Sequence, residues 1–397
     1  MLAICVAFCG CISLLVLGDL RIHAWAALGI IGIWSAVVYC FSPKEYSLIS
    51  LFLIALSLRF VAFCMEPTLS DDIYRYIWEG YWITQGGNPY WIPPQSVDVM
   101  HWAKEHVNHP QLTTIYPPLT QLVFAGISWI WDSMYSFKLL SLLCDIGIIW
   151  ALIRLRTEKS FVWMYVLHPL SVLESAASGH MESWAVCAMM MALAVPRAAT
   201  LFLWLGAMLK LLPGVVFIAQ LRSMWWAIVA SLATLGLCSY FSLWAIPMGA
   251  AQYAEHWSFH AALYPLIHNF FPLWSRWICI FLGVGVVLYV WVRIHSTHKQ
   301  LFWIAGAFIL LSPTVHPWYL LWVFPLALVM QSRSWILLCS MYPLWYVALT
   351  TWDHTSQSWD PPLWPQLVSY GVFLGCGIWG WIHRNPDDFL HESKGRL

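Results

Sequence analysis

Four carboxylates crowd into one short polar stretch: Glu66, Asp71, Asp72 and Glu79. Tyr74, Tyr76, Trp78, Tyr81 and Trp82 are interleaved with them. Aromatic side chains hold a sugar-like polar molecule by stacking and hydrogen bonding, and a carboxylate beside them can take a proton from it. The same residue types also suit a plain interfacial loop, in which Trp and Tyr anchor a chain at the edge of a bilayer. The turn residues that follow, Gly86-Gly87-Asn88-Pro89, Pro93-Pro94 and Pro117-Pro118, favour a folded and specific loop. Other polar groups stand alone in apolar surroundings. They are Arg59, Lys210, and the short sequences Ser178-Gly179-His180-Met181-Glu182 and His316-Pro317-Trp318-Tyr319.

The elements that must position these groups are membrane spans. The chain is 61% hydrophobic and 10% charged. A spanning helix needs about 20 apolar residues, so the chain reads as one all-α polytopic domain over residues 1–397 with roughly 11–14 spans. Residues 1–45 supply two N-terminal spans, and residues 47–64 a third. Residues 65–117 form a large outer loop carrying interfacial helices. Residues 118–131 are apolar but short, and are expected not to cross. Residues 200–220 are expected to enter and leave on one side, as two short helices broken near Lys210-Leu211-Leu212-Pro213-Gly214. The first apolar run lacks a basic leader and reads as a span, not a signal peptide.

Several function classes drop out. Net charge is zero, so no basic field points to nucleic acid. The eleven cysteines show no CxxC pair, which argues against a zinc ribbon or a disulfide framework. The short basic loops hold no GxxxxGK[ST] or GxGxxG, so a nucleotide donor is not expected. Basic residues concentrate in cytoplasmic loops. Placing Lys44, Arg154, Arg156, Lys159, Arg197, Arg222, Arg293, Lys299, Arg333, Arg384, Lys394 and Arg396 there puts most of the acids, histidines and aromatics of the loops on the outer face, with Arg21 as the exception.

Ser70-Asp71-Asp72-Ile73-Tyr74-Arg75-Tyr76, Gly87-Asn88-Pro89-Tyr90 and Thr114-Ile115-Tyr116-Pro117-Pro118-Leu119 resemble integral-membrane glycosyltransferases of the GT-C class. They are most similar to polyprenol-phosphate-mannose-dependent mannosyltransferases, the glycosyltransferase 87 group and the catalytic subunit of GPI mannosyltransferase I among them. His168-Pro169-Leu170, Ser178 to Glu182, Lys210-Leu211-Leu212-Pro213 and His316 to Tyr319 extend the likeness over residues 47–330. The adjacent Asp71-Asp72 departs from the Asp-x-Asp of the GPI enzyme, and Glu182 stands where relatives carry a shorter acid.

The resemblance implies an inverting transfer of a sugar, mannose first, from a polyprenyl-phosphate donor to a lipid or glycan acceptor. It implies no cofactor, and a divalent metal is not indicated. The bilayer, the donor and the acceptor are the expected partners, with an accessory subunit left open. The short loops favour a bacterial inner membrane, with the site facing the periplasm. Asp71 is the first choice of general base and Asp72 the second, or an orienting partner; capping of a helix is the alternative role. Adjacent residues in an extended or turn-like segment point apart, so one of the two is expected to face the acceptor. Tyr74, Arg75, Tyr116, His180 and Glu182 are candidates for substrate binding, and Arg75 also stands four residues from Glu79, where the two can pair on a helix. Lys210, His316 and Arg59 are candidates for the donor phosphate. Lys210 requires a partner because a bare ammonium in an apolar run is costly, and Asp145 or Glu174 is the alternative to phosphate. A lipid-linked glycan polymerase or ligase, and a lipid or solute transporter, are the competing readings.

Overall fold

The computed structural model describes residues 1–45, 47–219, 224–242, 248–353, 358–359 and 361–382. Arg222, Arg384, Lys394 and Arg396, used above for orientation, lie outside them. The architecture is helical: α1 (Leu2–Leu17), α2 (Ala24–Phe41), α3 (Leu48–Phe63), α4 (Asp72–Thr84), α5 (Pro118–Ile130), α6 (Met134–Arg154), α7 (Lys159–Leu167), α8 (Pro169–Val172), α9 (Glu182–Ala194), α10 (Ala199–Leu209), α11 (Leu212–Ala219), α12 (Met224–Tyr240), α13 (Met248–His256), α14 (Tyr264–Phe270), α15 (Ser275–Arg293), α16 (Thr297–Leu311), α17 (Phe324–Val329), α18 (Arg333–Ser340) and α19 (Trp364–Ile382). One antiparallel pair of two-residue strands, Trp352–Asp353 with Ser358–Trp359, is the departure from all-α. Taken singly, α2, α6 and α15 are long and apolar enough to cross a membrane. Helix α9 and residues 196–209 meet the same test together, across a bend of 118°.

Two expected irregularities are present. Helix α5 has 13 residues, about 20 Å at 1.5 Å per residue, short of a bilayer core of about 30 Å. The run 200–220 breaks between α10 and α11, at Lys210 and Leu211. There the chain folds back tightly: a Cβ on Gly206 would lie 3.2 Å from Pro213, and one on Gly214 would lie 3.2 Å from Ala207. Residues seven apart along one continuous helix are separated by about 10 Å, so these contacts require a hairpin with Lys210 at its tip.

The N-terminal helices belong to the core. Trp34 of α2 is fully buried and donates to the Leu167 carbonyl at 2.7 Å. Ser35 Oγ donates to the Ser340 carbonyl at 2.7 Å and lies 3.2 Å from His168 Nε2. The basic turns and the polar cluster described next sit at opposite ends of the same helices: α9 runs from Glu182 toward Arg197, and α10 returns from there to Lys210.

Helix α4 lies across α5 as the platform of the loop at 65–117. Its inward face includes Ile73, Tyr76, Ile77, Gly80 and Ile83, and Tyr76 stacks on Phe124 at 4.9 Å. A Cβ on Gly80 would stand 2.5 Å from the Phe124 carbonyl oxygen and 2.6 Å from Ser128 Oγ. Gly80→Ala is therefore expected to push the two helices apart at a cost of about 1–3 kcal/mol, read as a lowered melting midpoint in detergent. The turn chemistry is local: Asn88 Oδ1 accepts from Tyr90 N–H at 3.0 Å, and its amide donates to the Phe241 carbonyl at 2.8 Å.

Candidate active site

Asp71 and Asp72 part at the start of α4. Ser70 Oγ accepts from the Asp72 N–H at 3.3 Å, and the Asp71 carboxylate makes no capping bond. Asp71 turns instead to Arg21, in the turn between α1 and α2, at 3.0 Å, with each side chain about one-third exposed. Asp19 braces Arg21 at 3.2 Å, and Leu20 N–H reaches Thr68 Oγ1 at 3.1 Å. Arg21, the exception to the charge rule, thus has its partner within the acidic motif. Burial raises the Asp71 carboxyl above its usual range, against the opposing pull of Arg21.

Asp72 turns the other way and accepts from Asn108 Nδ2 at 3.1 Å. It keeps part of its surface accessible although atoms crowd around it, the position of a group on the floor of a cleft. Burial, then the nearby Glu182, push its carboxyl up to about 6; the Asn108 bond, Lys210 and Arg75 oppose the shift. Here Lys210 and Glu182 form an ion pair, brought together because α9 and α10 fold into a hairpin. The Lys210 ammonium also faces the rings of Tyr319, at 5.2 Å, and Tyr116, at 6.0 Å. An ammonium has three donors, and among the described residues Glu182 takes one of them.

Behind this pair the site is aromatic. His180 is buried and stacks on Trp318 at 4.0 Å, and Trp318 also stacks on His316 at 4.6 Å. Neither ring nitrogen of His180, nor Glu182 Oε2, has a hydrogen-bond partner among the described residues. His180 Nε2 is 3.5 Å from Glu174 Oε2, and Tyr346 holds both Glu174 oxygens at 3.0 and 3.1 Å. Buried polar atoms without partners are costly, and their gathering beside Asp72 marks a place built for a polar guest.

An apolar cavity of about 1330 Å³ opens next to the cluster. Trp204, Leu211, Ile218, Leu235, Val284 and Phe308 are among its walls, with Tyr253 and Arg276 also lining it. Tyr253 Oη lies 3.3 Å from Tyr319 Oη, which links the cavity to the Lys210 cage.

The geometry gathers Asp72, Tyr116, His180, Glu182, Lys210 and His316, and it separates others. Arg59 does not reach the cleft. It is fully buried, donating to Asp145 Oδ2 at 2.5 Å and to the Val166 carbonyl at 2.7 Å. That pair also removes Asp145 as a partner for Lys210, and Glu174 is held by Tyr346; the acid on Lys210 is Glu182. Arg75 is engaged elsewhere as well. Its guanidinium pairs with Glu79 at 3.2 Å and donates to the carbonyls of Asn108, His109 and Leu112, so it clamps the loop. Tyr74 packs on His106 at 4.9 Å, on the Asp71 side. Among the described residues no group of three or more His, Cys, Asp or Glu could hold a metal ion.

Sequence reasoning gave no role to Asn108 and Tyr253, named Trp318 and Tyr319 only alongside His316, and named Glu174 only as a possible partner of Lys210. Trp318 and Tyr319 stand in the motif that contains His316, and Glu174 is an acid inside an apolar run, itself a functional signal. Asn108 and Tyr253 carry no comparable mark.

Fold and cleft together describe a helical membrane protein with a carboxylate, a cation and an apolar channel meeting at one end of the bundle. Residues 52–231 match a family described as Alpha-(1->6)-mannopyranosyltransferase, N-terminal domain, a stretch that holds Asp72, Tyr116, His180, Glu182 and Lys210. The match supports a glycosyltransferase of the mannosyl-transferring kind. No curated protein and no solved structure matches the chain.

Proposed function

We propose that the protein transfers a mannosyl residue from a polyprenyl-phosphate donor to the hydroxyl of a lipid or glycan acceptor, with inversion, on the outer face of the membrane. The observation that carries this reading is the meeting of Asp72 and the Lys210–Glu182 pair beside the apolar cavity. The cavity suits a polyprenyl tail, and its link through Tyr253 and Tyr319 leads the phosphate end to Lys210. The acceptor hydroxyl gives its proton to Asp72 while its oxygen attacks the anomeric carbon. The bond from that carbon to the phosphate oxygen breaks, and the electron pair leaves on the phosphate, which Lys210 neutralises. Asp72 then releases the proton to water. His316 and the unpartnered atoms of His180 and Glu182 face the donor or the sugar between these groups.

Purified protein, labelled polyprenyl-phosphate mannose and a membrane lipid extract test the reading; label should move into a new lipid or glycan product. No transfer from mannose, glucose or arabinose carriers, together with no binding of the donor, would overturn it. The base works only when ionised, so with its carboxyl near 6 kcat/KM is expected to fall roughly tenfold per unit as pH drops below that value. A profile flat down to pH 4.5 would remove Asp72 from the role.

A further inference from the structure

A second cavity, of about 330 Å³, lies between the segment 258–261, helix α14 and residues 361–366. Its volume is at the lower end of the roughly 300–1,000 Å³ typical of small-molecule pockets. His260, Tyr264, His268, Asn269, Ser258 and Gln366 supply its polar lining, and the described lining holds no Lys, Arg, Asp or Glu. Imidazole, amide, hydroxyl and aromatic groups without a formal charge fit a neutral polyol, and among the described residues no group of three or more His, Cys, Asp or Glu gathers there for a metal ion.

His260 is the distinctive residue. It is 4% exposed, and its Nε2 has no hydrogen-bond partner among the described residues. Its backbone sits at φ 46°, a left-handed conformation unusual for a residue with a side chain. Strain of this kind is costly and gathers at ligand-binding positions. Its carbonyl is held by Tyr370 Oη at 3.0 Å, and its ring lies 5.1 Å from that of Trp345.

The cavity adjoins the cleft. Phe259, beside His260, stacks on His316 at 5.2 Å. Its N–H donates to the Pro313 carbonyl at 3.0 Å, and its carbonyl accepts from Val315 N–H at 2.8 Å. One residue therefore separates a strained, unsatisfied imidazole from a wall of the proposed reaction site.

We infer that this cavity is a carbohydrate subsite that holds a sugar ring of the acceptor away from the bond being formed. The inference rests on the transfer reaction proposed above, and it commits the acceptor to be a glycan or glycolipid. The test is a binding titration of the full chain in lipid nanodiscs, since sugar-headed detergents would compete. The probe is a short α-1,6-linked manno-oligosaccharide, followed by calorimetry. Wild type is expected to bind it. His260→Asn keeps a residue tolerant of the left-handed backbone but loses the imidazole, and Asn269→Ala removes an amide from the exposed rim; each should weaken binding at least tenfold. In the transfer assay both variants should raise the acceptor KM with kcat little changed. Binding undiminished in both variants, or no binding by wild type, overturns the subsite. Binding that His260→Asn abolishes, in a protein that transfers no sugar from any donor, supports the subsite and sinks the transfer reading instead.

Discussion

Asp72→Asn is expected to lower kcat by about 10²–10⁴-fold, the usual worth of a general base, while Asp71→Asn stays within tenfold of wild type. The amide keeps the size of the carboxylate and can still meet Asn108, so folding is not the issue. What disappears is the proton acceptor on the floor of the cleft. Asp71 is already engaged with Arg21 in a pair about one-third exposed, and such solvent-accessible pairs contribute little. The assay is initial-rate transfer at saturating donor, with the donor affinity measured separately. Equal rates for wild type and Asp72→Asn, with Asp71→Asn inactive, would reverse the assignment and make Arg21 part of the catalytic machinery.

Asp145→Ala is expected to cause the largest loss of stability. The Arg59–Asp145 pair is fully buried, and Tyr165 Oη donates to the second Asp145 oxygen at 2.7 Å. Two charges out of water survive there because each is the counter-ion of the other, while Arg59 Nη2 has no hydrogen-bond partner among the described residues. Removing one leaves a buried guanidinium without its counter-ion, at a cost of about 3–5 kcal/mol. Replacing both, as Arg59→Leu with Asp145→Leu, removes the desolvation cost together with the attraction and should restore most of the stability. Thermal midpoints by size-exclusion chromatography compare the two. If the double variant is folded but no longer binds a polyprenyl-phosphate donor, Arg59 has a part in donor binding that its contacts do not reveal.

The helices were legible because apolar runs and their interruptions follow from simple solubility. The short α5 and the break at Lys210 could be anticipated, since a run of 13 residues is too short to cross and Pro213-Gly214 is poor helix interior. The Asp71-Asp72 motif and the turn at Asn88 were also visible. Partnership was not. Arg21 meets Asp71 across 50 positions, and Arg59 meets Asp145 across 86. No local pattern encodes such distances; they depend on which helices pack together. For the same reason sequence alone could not pair Arg59 with Asp145 or send Asp71 and Asp72 to different partners. His260 escaped notice because its significance lies in a backbone angle and an unsatisfied nitrogen, neither of which has a sequence signature.

The staple between the α1–α2 turn and the start of α4 also bears on how the protein is made. Synthesis runs from the N-terminus, and elements fold as they emerge. The turn holding Leu20 and Arg21 is therefore complete before Thr68 and Asp71 leave the ribosome. The acidic loop emerges toward a docking point that is already waiting, and the first helical pair acts as a built-in assembly jig. Supplied as a separate polypeptide after the rest of the chain, that pair would arrive too late to guide the loop, even if every contact could still form.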